Sequence, residues 1–391
     1  KACGKTGTDE GHAEIVKKGF ERELLVGNVL VDIYAKCGLL EEAQQVFDEL
    51  LVQDIVSWNA LIAGHAEHGC SEDILCYIKE MQQKGILFNV VTFISSMKAC
   101  GNIGGLDTGY EVHCACTKRG LERELPISNA LIDMYAKCGA LEKAQKVLDE
   151  LHSRDVVSWS TLIAGFAHHG RGEEALLCYK LMQRDGISPN VVTWICVLKA
   201  CGGLKALDKG KHIHNEIEKK ASIMGEDTVL GNALVDMYAK CDAIAEARYS
   251  LNNLRGRDVV SWSSLIAGYI QQGQNEDALM CFKEMQIEGL CPDAITFSYI
   301  LKACGSIGAI AKGKEVHDEV ANKGILRNDT TLGTALVDMY AKCGALGRAR
   351  KVLNELSERN VAMWNALISG YAQHGQGEEA LECFRQMLHD G

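Results

Sequence analysis

One 31-residue segment, which occurs four times, constrains the fold of this chain more than any other feature. It reads NALIDMYAKCGALEKAQKVLDELHSRDVVSW from Asn129, and close variants begin at Asn28, Asn232 and Thr334. The signature cysteines of the four copies lie 101, 103 and 102 residues apart, at Cys37, Cys138, Cys241 and Cys343. Such self-similarity predicts a repeat array, in which each unit buries its apolar face against its neighbours.

Each long period divides into three helical hairpins, which we name by their lengths. The short hairpin has 31 residues, as in 125–155. The regular hairpin has 35 residues, as in 156–190, and the variable hairpin has 35 to 37, as in 191–227. No linker or low-complexity segment separates the hairpins, so the pattern predicts one continuous stack.

Local signals place the helices within each hairpin. Leu131, Met134 and Tyr135 follow the i, i+3, i+4 spacing of an amphipathic helix. Gly139 predicts the end of that helix, and Gly186 predicts the end of the second helix of the regular hairpin. The whole chain contains only 3 prolines, which favours many uninterrupted helices.

The hairpins predict an all-α protein, a right-handed α-solenoid superhelix of stacked helix-turn-helix repeats with a long concave surface. The predicted boundaries are a partial variable hairpin at 1–23, short hairpins at 24–54, 125–155, 228–258 and 330–360, regular hairpins at 55–89, 156–190, 259–293 and, in part, 361–391, and variable hairpins at 90–124, 191–227 and 294–329.

The chain contains 17 cysteines, and the twelve at recurring positions are predicted to be reduced, buried packing residues that bind no metal. Disulfide or metal use is the alternative, but the chain contains no C-x-x-C pair. The sequence HCAC from His113 occurs once and lacks a fourth ligand. Twelve cysteines are assigned to three recurring positions: Cys3, Cys100, Cys201 and Cys304; Cys37, Cys138, Cys241 and Cys343; and Cys76, Cys178, Cys281 and Cys383.

Two motifs that imitate catalytic sites are interpreted as parts of the repeat. H-x-E, half of a zinc deaminase signature, occurs at His12, His214 and His317, but the P-C-x-x-C half is absent. GAIAKGK from Gly308 imitates a phosphate-binding loop, but Glu315 stands where serine or threonine would bind magnesium. We therefore predict a protein that is not an enzyme and needs no cofactor.

A net charge of −11 argues against nucleic-acid binding unless positive charge is concentrated locally. One lysine recurs in the short hairpins, eight residues after an asparagine or threonine, so the two side chains share a helix face. These lysines are predicted to contact phosphates, the alternative being simple solvated lysines: Lys36, Lys137, Lys240 and Lys342.

The segments VVSWNALIAG, VVTWICVLKACG and NALIDMYAKCGALEKAQKVLDEL resemble the P, L and S units of the pentatricopeptide repeat family, plant P–L–S subclass. The resemblance covers essentially the whole chain, with regular, variable and short hairpins as P, L and S units. The tetratricopeptide repeat is a poorer match, because its units have 34 residues and its W-x-x-L-G-x-x-Y pattern is missing here.

The resemblance implies that each repeat binds one nucleotide of single-stranded RNA. The fifth and last residues of a unit would read the base edge, and the second would pack against the base faces. Four sets of pairs follow: for U, Asn28 with Asp54, Asn129 with Asp155 and Asn232 with Asp258; for C or U, Asn59 with Asn89; for A, Ser160 with Asn190 and Thr334 with Asn360; for G, Ser263 with Asp293.

The remaining units depart from this code. Ile94 and Ile195 cannot hydrogen-bond a base edge, so their units are expected to accept any nucleotide. Ser298 with Asp329 resembles a G-reading pair in an L unit, and Asn365 is expected to select a pyrimidine.

The resemblance further implies the targeting array of a plastid or mitochondrial C-to-U RNA editing factor. Its partners would be single-stranded RNA and editing-complex proteins, or a deaminase domain in cis or in trans, with no membrane contact. The alternative is a solenoid scaffold that binds proteins, which would favour irregular fifth residues and an apolar concave face.

Overall fold

The computed structural model describes residues 23–220, 227–356 and 358–390. The predictions for Cys3, for His12 and for nearly all of the partial hairpin 1–23 concern residues outside these ranges. Within them the chain forms 22 α-helices and one short 3-10 helix, Ile325–Asn328, and no strand. The predicted class, an all-helical solenoid of hairpins, is confirmed.

The chain divides into two units, and the division falls after Val197, within α11. The helices of the first unit are α1 (Leu24–Lys36), α2 (Leu40–Glu49), α3 (Ile55–Glu67), α4 (Ser71–Gln83), α5 (Val90–Ile103), α6 (Leu106–Thr117), α7 (Leu125–Lys137), α8 (Leu141–Asp149), α9 (Val156–His168), α10 (Gly172–Arg184) and the start of α11 (Val191–Gly203).

The second unit continues the same alternation. Its helices after α11 are α12 (Leu207–Lys219), α13 (Thr228–Lys240), α14 (Ile244–Asn253), α15 (Val259–Gln271), α16 (Asn275–Ile287), α17 (Ala294–Ile307), α18 (Ile310–Asn322), α19 (Thr330–Lys342), α20 (Leu346–Glu355), α21 (Val361–Gln373) and α22 (Gly377–Asp390). None of the described helices combines the length and apolar content that crossing a bilayer requires.

Within each unit, the first helix of a hairpin packs against its own second helix and against the first helix of the next hairpin. In the first unit α1 packs on α2 and α3, and in the second unit α13 packs on α14 and α15. The recurring tryptophans fill these contacts, since Trp58 and Trp262 are at most 1% exposed. The predicted apolar stripe of Leu131, Met134 and Tyr135 is likewise buried.

Glycines and aspartates set the helix ends. Gly139 and Gly186 adopt φ values of 75° and 74°, as predicted for residues that let the chain reverse. Where the third short hairpin has Asp242 in place of this glycine, the residue still adopts φ 60°, which aspartate tolerates better than most residues. At the opposite end, Asp155 caps α9 by accepting a hydrogen bond from the Ser158 amide at 2.8 Å.

The KACG motif allows two helices to approach closely. A Cβ on Gly305 would lie 3.2 Å from the Met339 Cα and 3.4 Å from the Lys342 Cδ. The same contact recurs between Gly101 and both Met134 and Lys137 in the first unit. The glycine of this motif is therefore explained by the helix that packs over it.

The prediction that all recurring cysteines are buried is wrong for four of them. Cys37 and Cys76 are exposed, and Cys138 and Cys343 are half-buried, whereas Cys100, Cys178, Cys201, Cys241, Cys281, Cys304 and Cys383 are buried. Burial raises the pKa of the Cys178 thiol to about 12, which keeps it protonated at neutral pH.

Cys76 is exposed because it does not belong to the recurring position. Cys178 follows Trp159 by 19 residues, and the residue at that distance from Trp58 is Tyr77. The Tyr77 hydroxyl donates to Gln44 Oε1 at 2.7 Å, just as the Cys178 thiol donates to the equivalent glutamine, Gln145, at 3.6 Å. Tyrosine therefore replaces the buried cysteine in this hairpin.

Candidate nucleic-acid interface

Nine of the 17 predicted reading residues line three clefts between the first helices of consecutive hairpins. Cleft I, in the second unit, has a volume of 480 Å³ and is formed by α13, α15 and α17. The residues that matter for its chemistry are Lys240, Val260, Ser263, Ser264, Asp293, Ile295, Tyr299 and Lys302.

Two further clefts repeat this arrangement. Cleft II, also in the second unit, measures 850 Å³ and includes Ser298, Thr331, Thr334, Lys342, Asn360, Ala362 and Asn365. Cleft III, in the first unit, measures 520 Å³ and includes Leu25, Asn28, Asp54, Val56 and Asn59. Each cleft thus contains the second, fifth and last residues of one hairpin and the second residue of the next.

Hydrogen bonds join the fifth and last residues when the fifth is asparagine. The Asn28 amide donates to Asp54 Oδ1 at 3.2 Å. Equivalent bonds run from Asn129 to Asp155 at 3.5 Å, from Asn232 to both oxygens of Asp258 at 3.0 and 2.9 Å, and from Asn59 to Asn89 at 3.1 Å. In the last short hairpin, Asn360 donates to the Thr334 hydroxyl at 3.3 Å.

The serine pairs are arranged differently. The Ser160 hydroxyl donates to the Val156 carbonyl in its own helix, and the Ser298 hydroxyl donates to that of Ala294 at 2.9 Å. Ser263 bonds both the Val259 carbonyl at 2.7 Å and the Thr296 hydroxyl at 2.6 Å. Serine is too short to span the distance that an asparagine amide covers.

All the predicted last residues share a structural task that the sequence interpretation missed. Each accepts a hydrogen bond from a backbone amide in the first turn of the next hairpin's first helix, and so acts as its N-cap. The capping residues are Asp54, Asn89, Asp155, Asn190, Asp258, Asp293, Asp329 and Asn360. A serine or threonine three residues after most of them was the available signal.

Capping also affects ionisation. Burial opposes the charged form of Asp155, but hydrogen bonds from Ser158 and Asn129 outweigh it and hold the pKa of this carboxyl below its usual value. The carboxylate is therefore charged at neutral pH and remains a hydrogen-bond acceptor for both neighbours.

Three of the predicted reading asparagines keep an unsatisfied acceptor. The Oδ1 atoms of Asn28, Asn129 and Asn232 are buried and accept no hydrogen bond. The amide nitrogen of each asparagine donates to its aspartate. The Oδ1 atom, on the other side of the amide group, therefore faces away from that carboxylate. A buried acceptor without a partner costs about 1–3 kcal/mol, and three repeats of the same feature indicate a common reason for it.

Exposed branched aliphatic residues flank the polar pairs. The second residues of seven hairpins are roughly half exposed, from 47% for Val157 to 61% for Val229. The others in this row are Val56, Val91, Val192, Val260 and Ile295. Their apolar surface is available to the flat face of a ligand.

The predicted phosphate-binding lysines are paired within their own helices. Lys36 bonds Asp32 at 2.7 Å, and the pairs of Lys137 with Asp133, Lys240 with Asp236 and Lys342 with Asp338 have lengths of 2.8, 2.7 and 2.7 Å. All are exposed i, i+4 pairs, which are individually weak. The spacing of aspartate and lysine in DMYAK already indicated this pairing.

A second row of lysines, which the sequence interpretation missed, has no such partner. Lys98, Lys199 and Lys302 recur in the KAC motif of the variable hairpins and are exposed. Among the described residues no ion pair or hydrogen bond involves their side-chain ammonium groups. Lys302 lines both cleft I and cleft II, so an uncompensated cation lies beside the polar pairs.

The motifs that imitate catalytic sites serve packing. His113, His214 and His317 each form a hydrogen bond through Nδ1 with a tyrosine hydroxyl of the next hairpin, at 2.7, 2.8 and 3.0 Å. The motif GAIAKGK begins in the turn after α17 and continues into α18, and a helix rather than a strand precedes it. No group of three metal-binding side chains occurs in the part of the chain that the structure describes.

Comparison with known proteins decides the family. Residues 53–102, 154–203 and 257–306 match the PPR repeat family, and residues 28–55, 127–156, 334–361 and 362–391 match the PPR repeat. The chain is also 35% identical, over 393 residues, to the chloroplastic pentatricopeptide repeat-containing protein At1g11290 of Arabidopsis thaliana. The chain belongs to the pentatricopeptide repeat family.

The curated relatives of this pentatricopeptide repeat chain are longer proteins. The alignment with At1g11290 covers 99% of the chain and 48% of that protein. The mitochondrial At2g03380 of the same plant is 35% identical over 379 residues, and the alignment covers 96% of the chain and 54% of that protein. The chain therefore spans about half the length of these relatives.

Solved structures share the fold. The crystal structure of the pentatricopeptide repeat protein PPR10 in complex with an 18-nt psaJ RNA element matches with a TM-score of 0.78 and 19% identity, covering 98% of this chain and 57% of that one. The crystal structure of PPR10 from maize matches with a TM-score of 0.69 and 18% identity, and the match covers 97% of this chain and 60% of that one.

Proposed function

We propose that this chain binds single-stranded RNA and that each hairpin addresses one nucleotide. The observation that carries the proposal is the repeated composition of the three clefts. A polar fifth and last pair recurs in all three, and the second residues that flank it are aliphatic in clefts I and III and are Thr331 and Ala362 in cleft II. Aliphatic groups suit the faces of a base, and polar pairs suit its hydrogen-bonding edge. The RNA element in complex with PPR10 supports the same ligand class.

The unsatisfied asparagine acceptors fit this function. Uracil carries both a donor and acceptors on its edge, and the Asn232 pair offers an amide, an open acceptor and a carboxylate. A small rotation of the amide on binding would give the buried Oδ1 a donor. We therefore retain U as the base that the three asparagine–aspartate pairs select.

We further propose that the chain is the targeting array of a plant organellar C-to-U editing factor in the P–L–S subclass, with the deaminase activity in cis or in trans. The cyclic order of the three hairpin kinds and the chloroplastic and mitochondrial relatives support this. A protein-binding scaffold is less well supported, because a polar fifth and last pair recurs in each of the three clefts beside their apolar residues.

Replacing Ser263 by asparagine is the sharpest test of base reading. The regular hairpin at 55–89 shows how the new side chain fits, because Asn59 donates to Asn89 and accepts from Thr92 at 2.7 Å. Asp293 and Thr296 stand at the equivalent positions around Ser263. We expect the preferred base at this one position to change from G to U, with neighbouring positions unaffected.

The measurement is the affinity for four RNAs that differ only at that nucleotide. Ser264→Asn is the matched control, because Ser264 lines the same cleft one residue away from the reading position. It should leave the preference for G in place. An unchanged preference in Ser263→Asn, or equal binding to all four RNAs, would show that the fifth residue does not read the base.

A further inference from the structure

Tyr299 separates two adjacent reading positions. It lies on α17, is half-buried, and lines cleft I with Ser263 and Asp293 and cleft II with Thr334. Of the described residues that line these two clefts, it is the only aromatic one. Its hydroxyl and its ring have no hydrogen-bond, ionic or ring partner among the described residues.

This tyrosine is particular to one variable hairpin. The equivalent residues, five before the KAC cysteine, are Ser95 and Cys196 in the other two. The fifth residue of this hairpin, Ser298, has its hydroxyl bonded to its own helix at 2.9 Å. An aromatic surface is therefore available beside a fifth residue whose hydroxyl already has an acceptor.

A cation lies next to the ring along the same helix. Lys302 follows Tyr299 by three residues, so the two side chains share a helix face. Lys302 lines both clefts and has no acceptor among the described residues. An aromatic ring beside an uncompensated cation is the combination that holds a nucleotide by its base and its phosphate without selecting its sequence.

We infer that Tyr299 stacks on the base of the nucleotide addressed by the hairpin at 294–329. The inference rests on the proposed RNA binding and adds a sequence-tolerant contact that the fifth and last residues do not provide. This hairpin then holds its nucleotide firmly through the base face, and the two hairpins with Ser95 and Cys196 hold theirs less firmly.

The test compares Tyr299→Ser with the unmodified chain on an RNA in which each hairpin, from 24–54 onward, meets the base predicted for it. One aromatic stack contributes about fivefold to a hundredfold in affinity, so Tyr299→Ser should weaken binding by that factor. Tyr299→Phe keeps the ring and should bind normally. Tyr249→Ser, at an exposed tyrosine on the second helix of a short hairpin, is the matched control and should also bind normally.

The second part of the experiment uses an RNA with an abasic nucleotide at the position addressed by the hairpin 294–329, which is the ninth hairpin counted from 24–54. Because it has no base to stack, the unmodified chain and Tyr299→Ser should bind the abasic RNA equally. An equal loss for Tyr299→Ser on intact and abasic RNA, or no loss on either, would overturn the stacking role while leaving sequence-selective binding intact. Failure of the unmodified chain to bind any RNA would overturn the proposed function and this inference with it.

Discussion

At the scale of single residues, the aspartate or asparagine at the end of a hairpin can accept hydrogen bonds both from the helix that follows and from the fifth residue of its own hairpin. Asp258 accepts the Ser261 amide at 2.9 Å and so starts α15. It also accepts the Asn232 side chain from the preceding hairpin at 2.9 and 3.0 Å. The asparagine that is proposed to read a base is thus positioned by a helix cap, so the capping aspartate is proposed to serve both folding and recognition.

The unpaired lysines are expected to contribute most of the phosphate contact. Lys302→Ala should weaken binding to all RNA sequences alike, because a phosphate contact carries no sequence information. It should also reduce the slope of log affinity against log salt concentration by about one. Lys240→Ala removes a lysine that Asp236 already neutralises, so its salt slope should change less.

Affinities measured over a series of salt concentrations, on two RNAs of different sequence, test this pair of variants. A loss confined to one of the two RNAs would contradict a phosphate role for Lys302. A larger change of slope in Lys240→Ala would show instead that the short-hairpin lysines leave their aspartates to bind RNA.

Several residue assignments follow from the sequence, and others need the structure. The fifth and last residues can be located by counting, and clefts I, II and III each bring one such pair together. The assignment of Cys76 is wrong because it aligns the cysteines with each other and not with the buried tryptophans. The unpaired lysines Lys98, Lys199 and Lys302 cannot be identified from residue spacing, because whether a lysine has an acidic partner depends on the residues around it in the structure.

At the scale of helices, the histidine–tyrosine bonds link a variable hairpin to the short hairpin that follows. His214 joins α12 to α13 through Tyr238, and burial lowers the pKa of this histidine. Burial likewise lowers the pKa values of His113 and His317, and it raises the pKa of Tyr238 to about 12. Both partners are therefore neutral at pH 7.

These bonds predict acid sensitivity. A histidine whose folded pKa lies below the ordinary value of about 6.5 takes up its proton more readily when unfolded, so stability is present above that pH and is lost as the pH falls through it. The charged groups near His113 are Glu122, Glu150, Lys143 and Lys146. Melting temperatures measured from about pH 7.5 to about pH 5 should decline.

Replacing His113, His214 and His317 together by glutamine keeps a hydrogen-bonding side chain but removes the titrating group. The triple variant should lose part of the decline that the unmodified chain shows below about pH 6.5. An identical decline in the variant and the unmodified chain would assign the acid sensitivity to other groups, and a flat profile in both would refute it.

Close helix packing gives a matched pair of glycine variants. A Cβ on Gly268 would lie 2.7 Å from Ile244 Cδ1 and 2.8 Å from the Ala239 Cβ. Gly268→Ala should therefore destabilise the fold by about 1–3 kcal/mol through overpacking. Gly347, in α20, has no atom within 4 Å of that position. Gly347→Ala should stabilise by up to about 1 kcal/mol, because alanine loses less backbone entropy.

Unfolding by urea, followed by circular dichroism, measures both variants. Equal effects of the two substitutions would show that Gly268 is not in a tight contact.

The positions of the helix ends are predictable from glycines such as Gly139. The close contact at Gly268 is not predictable from the sequence, because it depends on the distance between two helices far apart in the sequence.

At the scale of the whole molecule, an acidic chain is proposed to bind an anionic ligand. The net charge of −11 disfavours general attraction to RNA. Binding must then come from local features, which are the aliphatic flanks, the polar pairs and the unpaired lysines of the clefts. Such a protein should discriminate strongly by sequence, because weak non-specific attraction leaves the base contacts to decide.

The central claim is that the order of hairpins specifies an order of bases, and selection from a random RNA pool tests it most directly. Bound RNAs should be enriched, from the 5′ side, in U, a pyrimidine, any base, U, A, any base, U, G, G, A and a pyrimidine. Enrichment at the positions addressed by asparagine–aspartate pairs should be strongest for U. The absence of any enriched motif, or a motif whose bases do not follow the order of the hairpins, would contradict the account.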